Sequence, residues 1–325
     1  MKVLVIGAAG MVGRKLVERL ARDGALAGRK IEALSAVDIV TPTPPPAPFP
    51  ISTDACDIAA LYVPGKLAAE RPDVVFLLAS VVSGEAEADF DKGYGINLDG
   101  TRMIFDALRR EQALSGGAYK PRVVFTSSIA VFGAPFPQTI GDEFFTTPLT
   151  SYGTQKAICE LLLSDYSRRG FFDGIAIRLP TICVRPGKPN KAASGFFSNI
   201  IREPLKGEPA VLPVDDSVRH HHASPRAAVG FLLHAATLDL SQLGARRALS
   251  MPGVSVTVAE QIEALRRAAG DKAVALIKRE PDETIRRIVA GWPTRFEAKR
   301  AEALGFHAEK DFDAIIRAHI EDEHV

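Results

Sequence analysis

Lys2-Val-Leu-Val-Ile6-Gly7-Ala-Ala-Gly10-Met11-Val12-Gly13 is the stretch that decides the fold. The short apolar run at its start reads as a strand, and Met11 to Arg22 repeats with helical period. Three glycines occupy the turn between them, and each has its own physical reason. Gly7 permits a tight turn, Gly10 lets the backbone approach a pyrophosphate, and Gly13 lets helix and strand pack closely. The helix that follows points its unpaired N–H groups and positive dipole end toward the phosphates. Gly7, Gly10, Met11, Val12 and Gly13 are therefore candidate dinucleotide-binding residues.

Outward from this turn, strand patterns at 2–7, 31–38, 73–79, 121–127 and 174–180 alternate with helical patterns near 11–23, 92–113 and 150–169. That rhythm implies βαβ units. The fold class expected is α/β, a Rossmann-type doubly wound parallel sheet with a smaller C-terminal substrate-binding portion. Residues 1–180 read as the cofactor domain and 181–325 as mainly substrate-binding, partly interleaved with the first. Helical patterns return near 225–237, 257–269, 281–290 and 310–320. The second strand ends in Asp38, an acid placed to accept both ribose hydroxyls and repel a 2′-phosphate, which favours NAD over NADP. A strand-end capping acid is the plainer alternative. Asp57-Ile58 stands where an adenine-contacting acid is often found, or is an exposed helix cap. Ala79 and Ser80 are counted with the cofactor residues. Thr41 to Pro50, with its repeated prolines, cannot be a helix or a central strand. It reads as a stiff surface loop, with a partner-binding polyproline segment as the alternative.

Composition narrows the function classes. Of 325 residues, 46% are hydrophobic and 24% charged, as in soluble globular proteins. A net charge of +1 gives no field for nucleic acid or an anionic membrane. No apolar run is long enough to span a bilayer, and the N-terminus shows no cleavage signal. Cys56, Cys159 and Cys183 lie far apart, fitting neither disulfides nor zinc, which suggests the cytoplasm.

The order Gly7/Gly10/Gly13, then Asn97 in Asn-Leu-Asp-Gly-Thr, then Phe125-Thr-Ser-Ser128-Ile-Ala-Val-Phe-Gly133, then Tyr152-x-x-x-Lys156 resembles the extended short-chain dehydrogenase/reductase family. The resemblance runs from residue 1 to roughly 240. It implies a nicotinamide-dependent enzyme in which Tyr152 is the base. Tyrosine, with a pKa of about 10, is too weakly ionised alone. Lys156, one helical turn on, favours its phenolate and can hold the nicotinamide ribose. Ser128, preferred to Ser127 by its distance from Phe132-Gly133, fixes the substrate oxygen. Asn97 is implied to belong to a distorted helix that supports a proton relay, or else to cap a helix. Pro180 and Thr181 would line the nicotinamide pocket, and helices like 92–113 and 150–169 often form a homodimer interface in the family.

Two segments depart from the family's nucleotide-sugar branch. Arg178-Leu-Pro-Thr181-Ile-Cys-Val-Arg185-Pro-Gly187 carries threonine where that branch has asparagine. Arg219-His-His-His-Ala-Ser-Pro-Arg226 ends in arginine where it has an acid. The added cations suggest a small anionic substrate whose carboxylate an arginine could grip. Arg185, Lys188, Arg219 and Arg226 are candidates. Histidines 220–222 alternate faces in a strand, so at most two converge and no metal is expected. One of them, His220, could bond a polyol. These same stretches resemble the D-erythronate dehydrogenase branch, which implies NAD-dependent oxidation of a four-carbon sugar acid. A nucleotide-sugar epimerase or dehydratase is the alternative.

Overall fold

The computed structural model describes residues 1–187 and 193–324. Seven strands share one sheet: β1 (Lys2–Ile6), β2 (Ala33–Asp38), β3 (Ile51–Ala55), β4 (Val74–Leu77), β5 (Arg122–Ser128), β6 (Asp173–Leu179) and β7 (Ala248–Ser250). Their spatial order is β7-β6-β5-β4-β1-β2-β3. β1 pairs in parallel with both β2 and β4, β2 with β3, and β4 with β5. From β1 the chain builds outward one way and then, from β4, the other. Such a reversal opens a ligand crevice at the carboxyl ends of the strands. The glycine turn leaves β1 at that point.

The sheet explains why five strands are visible as apolar runs and two, β3 and β7, are not. All four residues of β4 are buried, as are Val3 to Ile6 of β1, because helices cover both faces. α1 (Met11–Asp23) and α3 (Ser151–Arg168) begin and end close to where the periodicity places them, whereas α2 (Thr101–Leu114) ends there but begins nine residues after the expected start at 92. Val75, Leu77, Val123 and Phe125 on the strands meet Ile104, Phe105 and Leu108 of α2 and Leu163 of α3. β3 was not expected. It is an edge strand, three of its five residues are exposed, and Ile-Ser-Thr-Asp-Ala carries no apolar pattern; β7, at the other edge, is only three residues long. The proline-rich 41–50 holds no helix or strand and leads directly into it.

The chain divides into two compact units, one of residues 1–131, 150–178 and 229–249, the other of 132–149, 179–228 and 250–325. In the second, helices Gly195–Leu205, Val258–Val274 and Phe312–Glu323 enclose a core around Phe197, Ile200, Leu265 and Ile316. A three-stranded sheet there runs Val254–Thr257, Arg219–Ala223, Thr181–Ile182. The helix at 258 opens on a capping box of Thr257 and Glu260, and its regular part stops at Gly270, whose φ is 76°. Among the described residues no helix is long and apolar enough to cross a membrane.

Candidate active site

The glycine turn is shaped partly by the protein and partly for something else. A Cβ on Gly7, whose φ is +93°, would lie 2.5 Å from the Ala79 nitrogen at the end of β4. One on Gly13 would overlap the Gly7 carbonyl. Gly10 differs, since its nearest neighbour would be the Gly7 carbonyl oxygen at 3.4 Å. The fold leaves that space open. α1 starts beside it with no side-chain cap and no acid in its first turn, so the Met11–Val12–Gly13 end keeps its positive character for an anion. The residues therefore fit a dinucleotide pyrophosphate. Gly10→Ala is expected to weaken NAD binding about tenfold or more while costing the apo protein under about 1 kcal/mol. Gly13→Ala is expected to cost about 1–3 kcal/mol of stability through backbone overlap. Calorimetric titration with NAD and urea unfolding separate the two; equal behaviour of both variants would remove the distinction.

Asp38 reaches from the end of β2 to this turn. Its Oδ2 accepts from the Ala9 N–H at 2.9 Å and its Oδ1 from Ile39 N–H at 2.7 Å. The carboxylate thus sits beside the cradle and helps hold it. Asp57 is exposed and closes a local turn by accepting from Ala59 N–H. Ile58 is buried, and a Cβ on Gly100 would stand 2.9 Å from its Cγ1.

Thr150 caps the N-terminus of α3, accepting from Gly153 N–H, so Tyr152 rides in the first turn and Lys156 one turn later. Lys156 is buried. Its Nζ donates to the Thr126 carbonyl at 2.8 Å and lies 5.6 Å from the centre of the Tyr152 ring and 4.7 Å from that of Phe125. Burial pulls its pKa down from 10.5 to about 8. A cation held at that cost beside a phenol is what stabilises a phenolate. The two serines separate by strand alternation. Ser127 is buried and donates to Glu160 at 2.5 Å, while Arg178 grips both oxygens of Glu160 at 2.9 and 2.7 Å. Ser128, half-buried at the end of β5, accepts from Ala130 N–H.

Asn97 lies within a π-helix, Tyr94–Gly100, inserted ahead of α2. The segment expected as one helix over 92–113 is thus distorted where Asn97 stands. Its side chain is buried and fully engaged. Oδ1 accepts from Ser80 Oγ and Val81 N–H, both at 2.9 Å, and Nδ2 donates to the Val81 carbonyl and, at 2.7 Å, to Gln155 Oε1. The Asn97 carbonyl accepts from the Cys159 thiol at 3.3 Å.

In the second unit, Thr181 Oγ1 and His220 Nε2 are 2.7 Å apart. His220 and His222 share a face, both against Phe197, while His221 faces Phe296. Burial drives the pKa of His220 down to about 3 and of His221 to about 4, and lowers His222 as well, so all three are neutral at pH 7. Among the described residues no three His, Cys, Asp or Glu stand where they could hold a metal ion. Pro180 is buried. Arg185 bonds the Ile182 carbonyl and Ser194 Oγ. Arg219 bonds the Ser255 carbonyl and pairs with Glu260. Arg226 pairs with Glu321 and Asp322. Lys188 lies outside the described residues.

The profile of the NAD dependent epimerase/dehydratase family matches residues 3–223. The chain belongs to this family. Its cofactor is accordingly NAD. A D-erythronate dehydrogenase from Cupriavidus necator is 45% identical over 99% of this chain and 98% of that protein. Another from Haemophilus influenzae is 42% identical over 99% of each. A crystal structure described as a nucleoside-diphosphate-sugar epimerase from Agrobacterium tumefaciens is 65% identical, with a TM-score of 0.97 over 100% of this chain and 94% of that one.

For a member of the NAD dependent epimerase/dehydratase family, the residues that sequence reasoning missed are those behind the site. Glu160 and Gln155 are charged or polar residues in mid-helix, of types that are mostly exposed. Both are buried because a partner waits, Arg178 for one and Asn97 for the other. Glu160 does carry a sequence signal, since it stands one turn beyond Lys156 on the same helical face.

Proposed function

We propose that the protein oxidises the C2 hydroxyl of D-erythronate to 2-dehydro-D-erythronate with NAD. End-to-end similarity to two D-erythronate dehydrogenases carries this reading. Tyr152, as phenolate, takes the hydroxyl proton, and Lys156 sustains that phenolate from its seat on the Thr126 carbonyl. Ser128 donates to the same oxygen and orients it. NAD supplies the acceptor for the hydride released as the C2–H bond breaks and the C=O bond forms. Arg185 or Arg219 is the proposed carboxylate contact, and Thr181 a contact to cofactor or substrate. Asp38 favours NAD through the ribose.

The name given to the Agrobacterium structure favours a second reading, a nucleotide-sugar epimerase. Thr181, where that branch carries asparagine, speaks against it. Purified protein with NAD is expected to form NADH steadily on D-erythronate and not on nucleotide-sugars. NAD that stays bound, with no net NADH from any sugar acid but turnover of a nucleotide-sugar, overturns the proposal. A homodimer through α2 and α3 is supported by Leu161, 71% exposed on α3. Three free cysteines support a reducing, cytoplasmic location.

A further inference from the structure

Gln155 precedes Lys156 on α3 and is fully buried. Its Oε1 is the acceptor for one N–H of the Asn97 side-chain amide, whose other hydrogen bonds all go to Ser80 and Val81. Those two residues follow Ala79, whose backbone nitrogen lies against Gly7 of the dinucleotide cradle. A continuous set of contacts therefore runs from the cradle, through the loop after β4 and Asn97, to the helix that carries Tyr152 and Lys156. We propose that Gln155 is a positioning residue that ties the loop Ala79–Val81 to the catalytic helix, so that NAD affinity depends on a side chain that touches neither cofactor nor substrate.

Two further observations mark the site as built around this amide. Gln155 Nε2 is buried with no hydrogen-bond partner, a penalty a core position would ordinarily shed by carrying an apolar residue. Gly93 faces it so closely that a Cβ there would lie 2.8 Å from Nε2 and 3.1 Å from Ala86 Cβ. Glycine at 93 leaves the amide its place. An apolar residue at 155 would relieve the unpaired Nε2 but strip the buried Asn97 N–H of its acceptor. The loop Ser80–Val81 would then be held by an amide free to turn away.

The inference rests on NAD as cofactor and not on the identity of the substrate, so its test is a binding measurement on the full chain without substrate. Gln155→Met is expected to weaken NAD binding about tenfold, the factor one lost buried hydrogen bond corresponds to, with the melting temperature of the apo protein held or raised. In an Asn97→Ala background the same substitution is expected to change NAD affinity by less than about twofold, because the linking group is already gone. Gly93→Ala, which pushes the amide without altering Gln155 or Asn97, is expected to reproduce the affinity loss. An unchanged NAD affinity in Gln155→Met overturns the proposal. So does an additive loss in the double variant, or an affinity loss that merely tracks a fall in melting temperature. Failure of the substrate reading would leave all three measurements intact.

Discussion

Tyr152→Phe is expected to lower kcat by about 10³-fold to 10⁴-fold while NAD affinity stays within about threefold. Phenylalanine keeps the ring that stands 5.6 Å from the Lys156 ammonium, so the cation keeps its aromatic neighbour and α3 keeps its packing. Only the hydroxyl is lost, and with it the group proposed to take the substrate proton. The proposed NAD cradle, made of β1, the glycine turn, Asp38 and the loop after β4, is not touched by the substitution. Steady-state and single-turnover NADH formation, paired with calorimetric titration of NAD, measure the two effects separately. A loss of kcat under about tenfold would show that another group takes the proton. Equal losses in kcat and NAD affinity would show that Tyr152 serves the cofactor site instead.

What the sequence made legible follows the range of the forces involved. The run from Lys2 to Gly13 was readable because each glycine answers a constraint set within a dozen residues or by the next strand. The order of strands followed from the alternation of apolar runs with helical patterns. β3 was invisible because an edge strand with one face in water needs no apolar pattern, only a backbone partner, here β2. The resemblance implied a distorted helix at Asn97, as found, but the partners of its side chain, Ser80 and Val81 on one side and Gln155 on the other, are distant in the chain and carry no local signal. The arginines taught the same lesson from the other side. Their charge could be read, yet whether it is answered depends on partners such as Asp322, far along the chain from Arg226. Ser128 could be preferred to Ser127 by spacing alone. The reason Ser127 is otherwise engaged, the buried Glu160–Arg178 pair, has no local signature.

Lys156→Met should move activity and stability in opposite directions. Removing a cation 5.6 Å from the centre of the phenol ring, at an effective dielectric of about 20, withdraws about 3 kcal/mol from the phenolate, or about two pKa units. The acid limb of kcat/KM for alcohol oxidation should therefore rise by about two pH units, with about 100-fold less turnover at pH 7. Stability has the other sign. Folding lowers the lysine pKa from 10.5 to about 8, so between those values this side chain binds more protons in the unfolded chain and its contribution to stability rises with pH. Below about pH 8 both states carry the charge and the full burial cost, about 3 kcal/mol, weighs on the fold. Methionine removes that cost and keeps most of the apolar stem, but leaves the Thr126 carbonyl without its donor, which returns about 1–3 kcal/mol. The balance favours the variant at pH 7 by roughly 1 kcal/mol, and that advantage should shrink as pH rises from 8 to 10.5, where the parent's lysine loses its charge in the fold while the groups common to both proteins cancel in the difference. Urea unfolding across that range reads the stability, and pH profiles of NADH formation read the limb. An unmoved acid limb would mean that Lys156 does not set the ionisation of Tyr152. A variant less stable than its parent at pH 7, with a stability difference that does not change toward pH 10.5, would mean that the buried ammonium is no burden to the fold, and its place beside the phenol would then need no catalytic reason.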